Sequence, residues 1–381
     1  MTAPTTRSPR WHRVARVAAL GILALALAGC AEDAPLDTFE PEGPAADTIM
    51  NLVVPVFAVA AVVFVLVEFG VLFIAWKFRQ RHDDDEEVMP TQTHGNTKLE
   101  IGWTILPAVV LFVVAVFTLV TIFELEERDD DALAVHVEGQ QWWWRFSYDV
   151  DEDGTDDIIT ATEMVIPVGR QVDLSIESND VIHSFWIPRL NGKRDAVPGR
   201  THTLSLEADE PGYYWGQCTE YCGLSHAEMR MRVIALEPED YEAWVETQMQ
   251  DVREPETAAQ QRGKETFEAT CTNCHSIRGL ENQPGDNAEV PLVSGVAPDL
   301  THFASRTGYA GGIFELYDED GNVNRGQLEA WLRDPPGEKA MAPDDQRGMP
   351  NLGLTENQID DLVEYLLSTA DGPVWPGPRS E

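Results

Sequence analysis

Basic residues are scarce in this chain: 27 Lys and Arg stand against 65 Asp and Glu over 381 residues, for a formal net charge of −38. That shortage excludes a nucleic-acid binder, which needs a clustered cationic footprint. It leaves a solvated acidic exterior that repels like-charged neighbours and would steer a basic redox partner, although a generally acidic proteome gives the same composition. Cysteine is scarcer still, with five residues: Cys30, Cys218, Cys222, Cys271 and Cys274. An odd count outside the cytoplasm ordinarily signals a spare thiol. Here each cysteine sits in a motif, and no disulfide is needed to account for the set. The length allows about two or three domains.

Continuous apolar sequence is plentiful near the N-terminus. Arg7, Arg10, Arg13 and Arg16 precede an apolar stretch at 17–28, too short for a bilayer that needs about 20 residues, and together they read as an export signal. Leu27-Ala28-Gly29-Cys30 resembles a bacterial lipobox. Residues 1–29 are therefore expected to be a lipoprotein signal peptide, Cys30 the lipidated N-terminus and 30–47 a linker; the alternative is an ordinary signal peptide with a chance cysteine. Two longer runs, 52–76 and 101–123, reach membrane-spanning length and lack the polar face of a globular surface helix. Residues 48–128 are expected to form a transmembrane helical hairpin, with Pro55 and Pro107 near helix ends, where proline disrupts least. Lys77, Arg79 and Arg81 close to the first run place the intervening loop inside the cell, and the acidic run 83–87 counts for little. Everything after Glu124 then faces outside. Glu68, within the first run, is expected to face a partner subunit or to be protonated, because intramembrane acids avoid lipid.

From about residue 132 the pattern changes to short alternating segments, 135–138, 157–166, 171–176, 202–206 and 231–236, split by Gly, Pro and Asp turns. Many short strands at this spacing predict a sandwich or barrel. Its chemistry lies in Cys218-Thr-Glu-Tyr-Cys222-Gly-Leu-Ser-His226-Ala-Glu-Met229, where two thiols, an imidazole and a thioether fall within twelve residues. Soft sulfur with imidazole suits copper, and a weak Met ligand tunes its potential; structural zinc has no use for the Met. Cys218 and Cys222 could also pair as a disulfide when metal is absent. A blue-copper site uses one Cys, so a second thiolate points to two metal ions sharing bridging sulfurs. A further His must come from elsewhere, and His183 ends a predicted strand; by itself a lone His reads as structural.

The motif Cys-x-Glu-x-Cys-Gly-x-x-His-x-x-Met, preceded by Val181-Ile-His183-Ser-Phe185 and Asp195-Ala-Val-Pro-Gly-Arg200, resembles subunit II of cytochrome c oxidase. Gln141-Trp142-Trp143-Trp144 resembles its aromatic cluster, and Leu99-Glu-Ile-Gly-Trp-Thr-Ile-Leu-Pro107 the start of its second membrane helix. The likeness runs over roughly residues 48–248. It implies an all-β, cupredoxin-like Greek-key domain at 129–248 holding a dinuclear copper centre. By the same resemblance, Cys218 and Cys222 bridge both ions, His183 and Met229 complete one, and His226 and the backbone carbonyl of Glu220 complete the other. The Glu220 carboxylate would hold a magnesium ion shared with subunit I, Trp142 would receive the electron, and Glu100 would mark the mouth of a proton path from inside. Simple packing remains open for the tryptophans, which bury large areas; strand alternation puts Trp142 and Trp144 on one face and Trp143 on the other. Glu100 could equally be an acid favoured near a helix start. Two coppers sharing thiolates spread one unpaired electron over both ions, and a rigid β scaffold keeps the ligands in place.

Residues 249–257 are polar and acidic, as in a linker. A predicted helix at 258–270 leads into Cys271-Thr-Asn-Cys274-His275, the attachment motif for c-type haem, with His275 as proximal ligand. A redox dithiol would need a βαβ setting and a zinc site a second ligand pair; neither is present in the sequence. The opposite axial ligand is commonly Met. Met349 is favoured over Met341 because Gly348-Met349-Pro350 precedes a helix at 355–368 with Ile359, Leu362, Val363, Leu366 and Leu367 at helical spacing. His302 is a weaker rival in a polar stretch that reads as surface loop. The order of elements resembles class I cytochrome c, implying an all-α domain at 258–370, followed by a Pro- and Gly-rich tail, 371–381, expected to be disordered.

Together the resemblances imply a multi-domain membrane protein: subunit II of a caa3-type oxidase in the bacterial plasma membrane, copper and haem domains on the outer face, bound to subunits I and III. Electrons from a quinol–cytochrome c reductase or a small cytochrome c would pass by haem c and the copper pair to haem a in subunit I, where oxygen is reduced to water and protons are pumped. A nitric oxide reductase subunit with the same copper centre is the alternative. A lipid-anchored electron carrier or copper-delivery protein is another, disfavoured by the two spans. A quinol oxidase subunit II would lack the copper ligands, and all are present here.

Overall fold

The computed structural model describes residues 16–18, 20–22, 34–79, 92, 94–151, 153–280, 297–341 and 347–373. Cys30, Arg81, the acidic run 83–87 and most of the tail lie outside the described residues. Residues 38–381 form one compact unit, and residues 1–37 group separately.

Two helices, α1 (Pro44–Lys77) and α2 (Thr97–Leu125), are long and apolar enough to cross a membrane, with mean hydropathies of 2.8 and 2.9. Even the shorter rises roughly 44 Å at 1.5 Å per residue, more than the hydrocarbon core. Asn96 caps α2, its side chain accepting from the amides of Lys98 and Leu99 at 3.1 and 3.3 Å. Both prolines sit well inside their helices rather than near the ends. The reason is that each helix starts before its apolar run, α1 at a Pro44 whose missing N–H costs nothing at that position. Glu68 is exposed on α1. Ahead of α1 the chain is fastened to the following domain: Arg189 pairs with Glu40 at 2.7 Å and Glu42 at 2.8 Å.

The next domain is a two-sheet β structure. One sheet has the order β3-β2-β1-β5-β8, from Ile158–Ala161, Trp143–Tyr148, Leu133–Gln140, Val172–Ser178 and His202–Leu206; the other has the order β4-β10-β9, from Glu163–Pro167, Arg230–Leu236 and Gly212–Gln217. A short ladder pairs β6 (His183–Phe185) with β7 (Arg194–Ala196). Alternation fixes the faces: Val172, Leu174 and Ile176 of β5 are buried while Ser175 is exposed. Tyr148 ties the sheets together, accepting from the Val165 amide at 2.8 Å and donating to its carbonyl at 3.0 Å. The single strand expected at 157–166 is two strands in different sheets. Between them Thr162 takes a φ of 72°, a left-handed turn that lets the chain leave one sheet for the other. The strand at 212–217 was not anticipated, because its aromatic cluster obscures the alternation; Trp143 and Trp144 lie on a strand as expected, but Trp142 falls in the turn before it.

Helix α3 (Pro238–Gln248) packs Tyr241 and Trp244 into the β core. The segment expected to be a free linker is bound chain: Val252 packs on the C-terminal core, and Glu254 pairs with Lys264 at 3.1 Å. Helix α4 (Ala258–Thr270) begins with a capping box between Thr257 and Gln260, and α6 (Glu356–Leu367) with one between Thr355 and Gln358. A shorter helix, α5 (Arg325–Arg333), adds Leu328 and Leu332 to their core. The domain is not purely helical: Gly308–Tyr309 pairs with Phe314–Glu315 in a two-residue ladder.

Candidate metal centre

Cys218 follows β9, Cys222 lies in the succeeding loop, His226 opens a 3₁₀ turn, Met229 directly precedes β10, and His183 starts β6. These ends of separate strands converge. The Cys218 Sγ is 3.8 Å from Cys222 Sγ, 3.9 Å from His183 Nδ1 and 3.4 Å from the Glu220 carbonyl oxygen. Cys222 Sγ is 3.4 Å from His226 Nδ1 and 3.8 Å from Met229 Sδ. Both cysteines are buried and free of disulfide. The hydrogen bond between the two thiols holds Cys218 well below the ordinary thiol range and pushes Cys222 up.

His183 is oriented from behind. Its Nε2 donates to Asp180 Oδ1 at 2.8 Å, leaving Nδ1 for the thiol side. Asp180 is itself held by the amides of Gln141 at 2.9 Å and Val181 at 2.7 Å. A carboxylate behind a ligating imidazole fixes tautomer and ring angle. This residue was not singled out from sequence, although an acid three positions before the His was a usable signal. The Trp144 ring meets His183 edge-on at 5.9 Å, and Gly139 leaves the space the imidazole needs, since a Cβ there would lie 2.9 Å from His183 Cδ2. Two thiols, two imidazoles, a thioether and a carbonyl in this arrangement fit copper, with His183, Cys218 and Cys222 close enough to share one ion. The Glu220 side chain is exposed, facing away from the thiol that its carbonyl meets.

Trp142, Trp143 and Trp144 are all buried. Trp142 precedes the strand that holds the other two; its Nε1 donates to the Cys222 carbonyl at 3.1 Å. Glu100 lies exposed in the first turn of α2, far in sequence and fold from these ligands.

The second thiol pair stands at the end of α4, Cys271 as its C-cap and buried, Cys274 exposed. His275 Nδ1 donates to the Pro298 carbonyl at 2.7 Å, which leaves Nε2 unprotonated and available as a ligand; burial pushes its pKa down. Met349 packs on the adjoining apolar cluster of Phe267, Phe303, Tyr309 and Leu362. Unpaired thiols, a fixed imidazole tautomer and an apolar wall fit a covalently held haem. Met341 lies against Gly348, so both methionines border the region. His302 is not on a surface loop: it is 5% exposed, and burial with the nearby Arg278 and Arg306 holds its pKa down to about 4. The polar stretch around it turns its groups inward, with Thr301 Oγ1 accepting from the Arg278 amide at 2.9 Å.

Between the two sites runs a buried polar seam that local sequence gave no sign of. Glu163 accepts from the Thr307 amide at 3.0 Å, its hydroxyl at 2.5 Å and the Gly308 amide at 2.6 Å. Arg232, 3.5 Å from Glu163, also reaches Glu315 at 2.8 and 3.0 Å and Thr307 at 3.0 Å.

Comparison with known proteins gives three family matches in chain order. Cytochrome C oxidase subunit II, transmembrane domain, matches residues 39–121; its periplasmic domain matches 133–236; and Cytochrome c matches 260–370. Cytochrome c oxidase subunit 2 of Alkalihalophilus pseudofirmus is 36% identical over 94% of this chain and 98% of its own length. The protein of the same name from Bacillus sp. (strain PS3) is 32% identical over 91% and 95%. Among solved structures, the periplasmic domain of subunit II of cytochrome oxidase of Bradyrhizobium japonicum is 30% identical, covering 32% of this chain and 95% of that one, with a TM-score of 0.29.

Proposed function

Because this chain belongs to the cytochrome c oxidase subunit II family and carries a C-terminal cytochrome c domain, we propose that it is the electron-accepting subunit of a caa3-type haem–copper oxidase that reduces oxygen to water and pumps protons. When bound, haem c and a dinuclear copper centre supply one-electron carriers between a cytochrome donor, or a quinol–cytochrome c reductase, and haem a of subunit I. The observation that carries the reading is the convergence of His183, Cys218, Cys222, His226, Met229 and the Glu220 carbonyl on one buried point, with Trp142 hydrogen-bonded to the backbone of Cys222.

In this reading Cys218, Cys222, His183, Met229, His226 and the Glu220 carbonyl would hold the copper centre, with the two thiolates serving both ions, His183 and Met229 one of them, and His226 and the Glu220 carbonyl the other. Asp180 holds the His183 tautomer. Cys271 and Cys274 would hold haem c covalently, with His275, through Nε2, and Met349 as its ligands. Trp142 meets the ligand loop through its indole hydrogen bond to the Cys222 carbonyl and the haem domain through its own carbonyl, which accepts from Lys339. The exposed Glu220 carboxylate stands beside Tyr221 and Leu224, 76% and 61% exposed. That acid-and-apolar surface suits burial against subunit I with a shared magnesium ion. Glu100 at the foot of α2 is the mouth of the proton path, subunit III completes the complex, and Cys30 carries lipid. Lys77 and Arg79 at the end of α1 support an inside loop, which puts the copper and haem domains on the outer face.

Electron paramagnetic resonance with copper and iron quantification on the isolated full-length chain tests this. A multiline signal from two equivalent coppers, with two copper ions per haem c iron, is expected. A single-copper signal, or zinc in the site, would overturn the dinuclear assignment.

A further inference from the structure

Trp142 lies in a turn at one end of the β domain, a position that would ordinarily be open to solvent, yet it is 3% exposed. The cover comes from the haem domain. A Cβ on Gly348 would lie 3.8 Å from Trp142 Cζ3. Lys339 inserts its ammonium among three backbone carbonyls from three segments: Trp142 at 2.7 Å, Ala310 at 2.8 Å and Glu228, the neighbour of Met229, at 3.0 Å. Ser225 donates to the Ala340 carbonyl, the Arg230 amide donates to the Gly311 carbonyl at 2.9 Å, and Arg347 stands 3.9 Å from Asp180. Gly311 has a φ of 77°, and a side chain there would run into the Lys339 ammonium and come within 2.8 Å of the Trp142 carbonyl. The haem domain thus meets the copper loop largely through backbone groups, with the Lys339 ammonium joining carbonyls of both domains.

We propose that the docked haem domain closes Trp142 to external electron donors, and that Lys339 is the positioning residue that holds this seam shut. The inference rests on the reading of Trp142 as the route into the copper site. An ammonium is a compact charge with three donors, and here each donor has a carbonyl. Burial takes water from the ammonium and lowers its pKa to about 7, and the three carbonyls offset that cost. With the Arg230–Gly311 backbone bond and the Glu163 contacts to Thr307 and Gly308 across the same domain boundary, the closed arrangement is the resting state rather than one pose of a swinging domain. An outside cytochrome would then reach haem c and never touch Trp142 itself. The haem domain acts as obligatory donor and as plug.

The test is hydroxyl-radical labelling of the full chain in its oxidase complex, read residue by residue by mass spectrometry, alongside the rate at which reduced haem c passes its electron to copper. In the wild type Trp142 should react as little as the fully buried Trp144. In Lys339→Met, Trp142 labelling should rise about tenfold while Trp144 stays protected and the copper resonance is unchanged, and the inter-centre rate should fall about tenfold as positioning is lost. Gly311→Ala, which forces the seam apart with Lys339 in place, should give the same pattern. If Lys339→Met labels Trp144 as well, the variant is unfolded and the wild-type and Gly311→Ala results decide. Wild-type labelling of Trp142 at the level of the denatured chain, or protection of Trp142 retained in both variants, overturns the proposal. Loss of the multiline copper signal in the wild type would instead overturn the proposed function and leave the labelling result standing.

Discussion

At Gly139 the backbone of β1 passes so close to His183 that a single methyl group would lie 2.9 Å from the imidazole and 3.2 Å from the Trp144 ring. Neither neighbour can retreat, since His183 is pinned by Asp180 and Trp144 is fully buried. Gly139→Ala is therefore expected to rotate the imidazole off its ligating angle. Copper affinity should drop by about 10- to 100-fold, the range found when a ligand loses its orienting partner, and competition with a copper chelator measures it. His302 illustrates a different residue-scale effect. Its pKa is lowered from 6.5 to about 4 by burial and then by Arg278 and Arg306. The neutral form is favoured in the fold, so its contribution is complete above pH 6.5 and lost as pH falls toward 4. That is about 3 kcal/mol across the window. His302→Gln should flatten the fall in Tm between pH 6.5 and 4, and an unchanged slope would assign the acid sensitivity elsewhere. The ligands were legible from sequence because Cys218, Cys222, His226 and Met229 lie within one loop. Gly139 was not, because its role arises from a distance across strands; Asp180 could have been read from its place three residues before His183.

At the scale of elements, the crossing of α4 over α6 organises the haem domain. Gly263 lets the helices touch: a Cβ there would collide with the Asp361 carbonyl and lie 2.6 Å from Tyr365 Cβ. Next to it Phe267 and Tyr365 pack at 5.8 Å, and Arg262 pairs with Asp361 at 2.6 Å. Gly263→Ala would gain up to about 1 kcal/mol of helix propensity. The collision is with helix backbone, however, which cannot turn aside, so overpacking costing about 1–3 kcal/mol or more should win. Chemical denaturation of the haem-loaded chain should show the haem domain destabilised, and a stabilised variant would mean that the helices are not in contact there. Both helices were readable from sequence through their Thr-x-x-Gln starts and apolar spacing. The division of 157–166 between two sheets was not. It depends on one left-handed threonine, a residue type that gives no such signal, and on which partner strands arrive later in the chain.

For the whole molecule the deciding feature is that the copper and haem domains are joined by buried charge. Glu163, 3% exposed, comes from β4, and its acceptor sites are filled by Thr307 and Gly308 from across the seam. Arg232, on the neighbouring strand, completes the bridge to Glu315 and lies over the Trp215 ring at 4.2 Å. No periodicity or motif could announce this, since Glu163 and Thr307 stand 144 residues apart and each would pass for an ordinary surface residue. Glu163→Gln keeps the shape but removes the charge that balances Arg232 and turns the oxygen that shares the Thr307 amide into a donor facing it. Breaking one partner of a buried pair costs about 3–5 kcal/mol, and here the loss falls on the seam rather than on either core. Calorimetry of the wild-type chain should show copper and haem domains unfolding as one transition. In Glu163→Gln that transition should divide in two, with the copper resonance and haem spectrum intact below the first. A single transition shifted as a whole would mean that Glu163 stabilises its own domain and that the docking rests on the Lys339 seam alone.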